Sequence, residues 1–109
     1  LNPSVPMIFR EGNTVIVRGA VTIDNAVMLT KSGIALFDDQ PLAIDLDQVA
    51  EVDSTIVSVL LEWQRATRKN SHALQFINMP ESLKSLIQLY GVAELIPLAV
   101  NPVPVQNAS

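Results

Sequence analysis

The spacing of apolar residues changes period several times along the chain, and each change marks an element. MIFREG and NTVIVRGAVTI, between Met7 and Ile23, are two short apolar runs around a Gly12-Asn13 pair. Val15 and Val17 alternate with Ile16 and Arg18 in the second run. Two-residue alternation marks a strand with one buried face, and Gly and Asn suit tight turns, so the pattern predicts a β-hairpin. Gly19 then permits a bend or bulge. After Asp24 the period lengthens. NAVMLTKSGIALFDD sets Val27, Met28, Leu29, Ile34, Leu36 and Phe37 around polar Thr30, Lys31 and Ser32. This predicts a helix from about Asn25, capped by Asp24 or Thr22, only partly amphipathic and weakened by Gly33.

PLAIDLDQV, beginning at Pro41, is an apolar run bounded by Pro and acids. It predicts a buried strand, and its place between helical segments suggests parallel pairing. Val49 and Val52 lead on to Asp53. From Ser54 to Lys69 the residues Ile56, Val57, Val59, Leu60, Leu61 and Trp63 form a wide apolar helical face, opposed by Glu62, Gln64, Arg65, Arg68 and Lys69. The late cations suit the negative end of the helix dipole, and Asn70 is a plausible stop. HALQFIN predicts a short strand. Asn78-Met-Pro-Glu81 resembles a capping box with Asn78 as the cap. Leu83, Leu86, Ile87 and Tyr90 then follow the spacing of one buried stripe, with Gly91 as the stop and Val92 packing back on the last turn. AELIPL is at most one more turn before Pro97.

The resulting order is β-β-α-β-α-β-α, an α/β arrangement with helices against a central sheet. It predicts a single domain over 7–98 and a Pro-rich tail over 99–109, with no internal repeat. At 109 residues the chain is long enough to bury a core without metal or disulfide support. Aromatics are only 5% of it, so that core must be built mainly from Val, Ile, Leu and Ala. The absence of cysteine excludes a disulfide scaffold, a thiolate metal site and a cysteine nucleophile, and fits a reducing compartment. A net charge of −4 with seven Lys and Arg argues against a nucleic-acid-binding face. No apolar run reaches the roughly 20 residues needed to span a bilayer. The first residues, Leu1-Asn-Pro-Ser-Val-Pro, lack the charged start and apolar core of a signal peptide.

The candidate chemistry is sparse. Asp53-Ser54-Thr55 stands where the long helix begins. An acid or hydroxyl there caps free backbone N–H groups, and the same exposed end is a place where a phosphate or a partner is favoured. Asp38, Asp39, Asp45, Asp47, Glu51 and Asp53 form an acidic neighbourhood. A hard cation such as Mg²⁺ would need regular oxygen-ligand spacing, which is missing, so these read as solvated loop acids. His72 is the only histidine. It lies at the far end of the helix from Ser54, roughly 25 Å away at about 1.5 Å per residue, which rules out a Ser-His-Asp triad. No glycine-rich phosphate loop or zinc-binding helix motif is present. Trp63 fits the apolar helix face better than an exposed anchor.

IDLDQVAEVDSTIVSVLLEW resembles the strand–loop–helix signature of STAS domains, modules related to bacterial anti-sigma-factor antagonists. The resemblance runs from about Met7 to Leu98, and NMPESLKSLIQLYGVAELIPL is similar to the C-terminal half of the MlaB-like branch. It implies a STAS-like mixed sheet with helices packed mainly on one face. It also implies a non-catalytic cytoplasmic subunit of a phospholipid ABC transporter, peripheral to the inner membrane, needing no cofactor. The implied partner is the transporter's MlaF-like ATPase subunit, held through Asp53, Ser54 and Thr55, with Ile56 or Val57 adding apolar contact if outward. In the antagonist relatives the hydroxyl residue after the loop Asp is phosphorylated by an anti-sigma-factor kinase, and Ser54 matches that position. Here Asp53-Ser54-Thr55-Ile56 lacks the glycine that commonly follows, and β-branched Thr55 and Ile56 stiffen the first turn. That weighs toward docking rather than phosphorylation. An uncovered docking face can also pair the isolated domain with itself.

Overall fold

The computed structural model describes residues 7–38, 40–69 and 74–91. They form β1 (Met7–Glu11), β2 (Thr14–Val21), α1 (Ala26–Leu36), β3 (Leu42–Val52), α2 (Thr55–Lys69), β4 (Leu74–Ile77) and α3 (Glu81–Leu89). The expected order holds. The sheet runs β1-β2-β3-β4, with β1 antiparallel to β2 and the β2/β3 and β3/β4 pairs parallel.

The β1–β2 turn is two residues, since Glu11 pairs with Thr14. Gly12 has φ +61 while Asn13 does not have positive φ. A type II′ turn needs Gly only at its first central position, which explains why the order is Gly-Asn rather than Asn-Gly.

Register fixes the faces. Val15 pairs with Ile44, and Ile44 with Phe76, while Leu42 pairs with Leu74. These residues, with Val17 and Leu46, are buried. Leu29 of α1, Ile56, Val57, Val59, Leu60 and Trp63 of α2, and Leu83 and Ile87 of α3 join them in one cluster. All three helices therefore lie against one face. Ile16, Asp45 and Ile77, paired across the other face, are less buried.

β3 is longer than the sequence suggests because it carries two irregularities. Between the Ile16–Asp45 and Arg18–Gln48 pairs it takes one extra residue, and another between Gly19–Val49 and Val21–Val52. Each extra residue in a bulge changes which way the following side chains point. The first extra residue turns Val49 toward the core, which simple alternation from Ile44 and Leu46 does not predict, and the second returns Val52 to the inward phase that alternation gives. Both irregularities flank Gly19, where a bulge was expected.

Several local expectations are corrected. Asn78 does not cap α3. It has φ +54 and its side-chain amide donates to Asp45 Oδ1, while Pro80 stands at the helix start with its carbonyl accepting from Leu83 and Lys84. Neither Asp24 nor Thr22 caps α1. Asn25 does the local stitching instead: its Oδ1 accepts from Thr22 N and its Nδ2 donates to the Ala20 carbonyl. Tyr90 is exposed and sits at the α3 C-cap, outside the buried stripe of Leu83 and Ile87. Asp45, Asp47 and Glu51 are strand residues rather than loop acids. Gly91, with φ +69, follows the end of α3 as expected. Asp39, the stop at Asn70, His72, Val92, the AELIPL turn and the 99–109 tail lie outside the described residues.

Trp63 is buried, as its place in the pattern predicts. Its indole Nε1 donates to the Thr30 carbonyl at 3.1 Å and its ring meets Phe37 edge-on. Gly33 lies directly over that ring. A Cβ there would be 2.5 Å from Trp63 Cε2 and 2.8 Å from Cζ2, so only glycine admits this approach of α1 to α2. The glycine that weakens α1 as a helix thus permits the packing of its buried face.

Candidate docking site

The N-terminus of α2 is organised by Asp53. Its Oδ1 accepts from Thr55 N at 2.9 Å and from the Thr55 hydroxyl, and its Oδ2 accepts from Ile23 N at 3.0 Å. The Asp53 carbonyl accepts from Ile56 N and the Ser54 carbonyl from Val57 N. Asp53 is therefore the capping residue, satisfying a backbone donor the helix leaves free. The Thr55 hydroxyl and the Ile23 amide together hold its carboxyl below the usual range near 3.8, outweighing the opposite effect of burial. The same carboxylate ties the loop before α1 to the start of α2.

This arrangement divides the five residues expected at a partner contact. Ser54 is exposed, and no described residue hydrogen-bonds its hydroxyl. Thr55 is half-buried, its hydroxyl turned to Asp53. Ile56 and Val57 are core residues, packed inward among the buried cluster. The first two residues of the helix after Thr55 therefore present no apolar contact surface, which corrects the expectation for them.

The apolar surface beside Ser54 and Thr55 comes instead from α1 and the loop before it. Ile23 is 71% exposed and Val27 68% exposed, and Met28 and Ile34 are also exposed on the same helix. A groove of about 390 Å³ runs between α1 and α2, with Ile23, Ala26 and Val27 on one wall and Thr55, Ser58 and Val59 on the other. Lys31 and Glu62 stand on opposite walls. The Asp53–Ile23 bond sets the end of this groove, because it fixes Ile23 against the start of α2. A helix that fully buries only Leu29 and Gly33 leaves Val27, Met28 and Ile34 at the surface. That surplus of apolar residues distinguishes α1 from α2, whose apolar residues are nearly all in the core.

No group of three or more His, Asp or Glu gathers in a metal-holding arrangement among the described residues. No described helix is long and apolar enough to cross a membrane. An exposed hydroxyl at a capped helix start beside an apolar groove is chemistry suited to binding a macromolecule.

Comparison with known proteins gives the same fold. One chain of the Acinetobacter MlaFEDB complex, in its ATP-bound Vtrans1 conformation, superposes with a TM-score of 0.73 at 26% identity, over 85% of this chain and 100% of that one. An anti-sigma factor antagonist from Mycobacterium paratuberculosis superposes with a TM-score of 0.64 at 17% identity, over 89% and 86% of the two chains. The anti-sigma factor antagonist SpoIIAA in its unphosphorylated form gives 0.64 at 10% identity, over 89% of each chain. At such identities the two antagonists share the fold alone. No curated protein matches the chain in sequence. Residues 9–97 match the family model described as Mlab, STAS domain, and the chain belongs to that STAS-domain family.

Proposed function

We propose that this STAS domain is a non-catalytic regulatory and assembly subunit of a Mla-type phospholipid ABC transporter. It docks on the cytoplasmic ATPase subunit through Ser54, Thr55 and the groove between α1 and α2. The ATPase, not this chain, binds and hydrolyses ATP. The observation that carries this reading is the pair Ile23 and Val27, the most exposed apolar side chains next to the Asp53-capped helix start. Exposed apolar residues grouped around a groove favour a protein interface over a solvated surface. The likeness to a chain of the MlaFEDB complex supplies the class of partner. By this reading the domain is cytoplasmic and peripheral to the inner membrane, held there by its partner. Affinity capture of the tagged chain from its native cells, with mass-spectrometric identification, tests it. Recovery of an ABC-type ATPase is expected; recovery of a sigma-factor regulator without one contradicts it.

The second reading is an anti-sigma-factor antagonist switched by phosphorylation of Ser54. The exposure of Ser54 and the absence of a described partner for its hydroxyl favour it. Against it, a phosphate of about −1.5 to −2 charges would sit next to the Asp53 carboxylate, which already takes the Thr55 amide. Incubation with an anti-sigma-factor kinase separates the readings: Ser54 stays unlabelled under conditions that label a control antagonist.

A further inference from the structure

The second half of α2 carries a stripe unlike its start. Leu61, Gln64, Arg65 and Arg68 follow at the three- and four-residue spacing of one helix face and line a shallow depression of about 110 Å³. Leu61 is half-buried against the core and forms its apolar part. Arg65 bonds Glu62, whereas Arg68 is exposed and no described residue pairs with it. Gln64 Oε1 is buried with no hydrogen-bond donor among the described residues.

Arginines near a helix C-terminus offset the partial negative charge there, which accounts for Arg65 and Arg68 taken alone. It gives no account of Gln64, because a buried acceptor without a donor is a cost that an apolar residue would avoid. The terminal torsion of a glutamine is soft, so its amide turns toward a ligand in the depression with little resistance. A peptide segment bearing a carboxylate meets all three features at once. Its backbone N–H donates to Gln64 Oε1, its carboxylate accepts two bonds from the Arg68 guanidinium, and its stem covers Leu61.

We infer that this stripe binds an acidic peptide segment of a partner protein, at the end of α2 opposite Asp53. A depression this small takes one side chain rather than a flat lipid surface.

The test titrates the ¹⁵N-labelled 109-residue chain with hexaglutamate, with hexalysine as the charge control and phosphatidylglycerol vesicles as a separate arm. Saturable shifts with hexaglutamate are expected, largest at Gln64, Arg65 and Arg68 and absent with hexalysine. Arg68→Glu is expected to raise the Kd at least tenfold. Gln64→Leu is expected to raise it severalfold while unfolding no earlier than the parent, a pairing that a merely structural role for Gln64 does not produce. Absence of shifts, shifts spread evenly over the surface, or either variant binding hexaglutamate as tightly as the parent overturns the proposal. Vesicle binding without peptide binding also overturns it, and assigns the stripe to a lipid surface.

Discussion

Asp53 accepts from a helix amide, a hydroxyl and the amide of a distant loop, so its charge supports two segments through one carboxylate. Asp53→Ala is expected to cost about 1 kcal/mol, the usual value of a lost cap, and to lower Tm by several degrees. The pH dependence has a definite sign. Because folding lowers the pKa of this group, its contribution is fully present above the ordinary carboxylate value near 3.8 and is lost as pH falls through the lower folded value. The stability gap between parent and Asp53→Ala, measured by denaturant unfolding, should therefore be widest near neutrality and narrow below about pH 4. A gap that widens on acidification would contradict the assignment. Thr55 shares this bond, so a bulky replacement there disturbs the cap as well as any contact.

Helix α1 was the hardest element to interpret from sequence, and its packing explains why. Gly33 looked like a defect in a helix of modest quality, but it is the position where α1 rests on the Trp63 ring. Propensity alone predicts that Gly33→Ala stabilises by about 1 kcal/mol. Overlap with a buried, hydrogen-bonded indole costs about 1–3 kcal/mol and should prevail. The expected outcome is a lower denaturation midpoint with altered near-ultraviolet dichroism from Trp63, the only tryptophan. An unchanged Trp63 signal with higher stability would show that the helices separate without cost. Strand β3 was legible only to Leu46, because alternation holds that far and the extra residues then reset which side chains face inward. Cap assignment failed at Asn78 for a related reason: its amide found a partner across the sheet, in Asp45, rather than in the next helix.

Across the whole molecule, the order of elements and the burial of Trp63 followed from period and spacing, which are local signals, and the parallel pairing of β3 from its place between helical segments. The site was only half legible. Asp53, Ser54 and Thr55 announced themselves by residue type at a helix start. Ile23 and Val27 did not, because their exposure depends on how α1 leans on α2, and Ile56 and Val57 were miscast because the helix turns them inward. The account's central claim is that the α1–α2 groove is the docking surface. Val27→Arg tests it most directly, since Val27 is 68% exposed and takes no part in the Asp53 cap. Its co-expression with the transporter ATPase, followed by purification on the ATPase tag, should recover at least tenfold less of this chain, with the isolated variant unfolding at the parental midpoint. Undiminished recovery of a folded Val27→Arg variant would contradict docking through this groove.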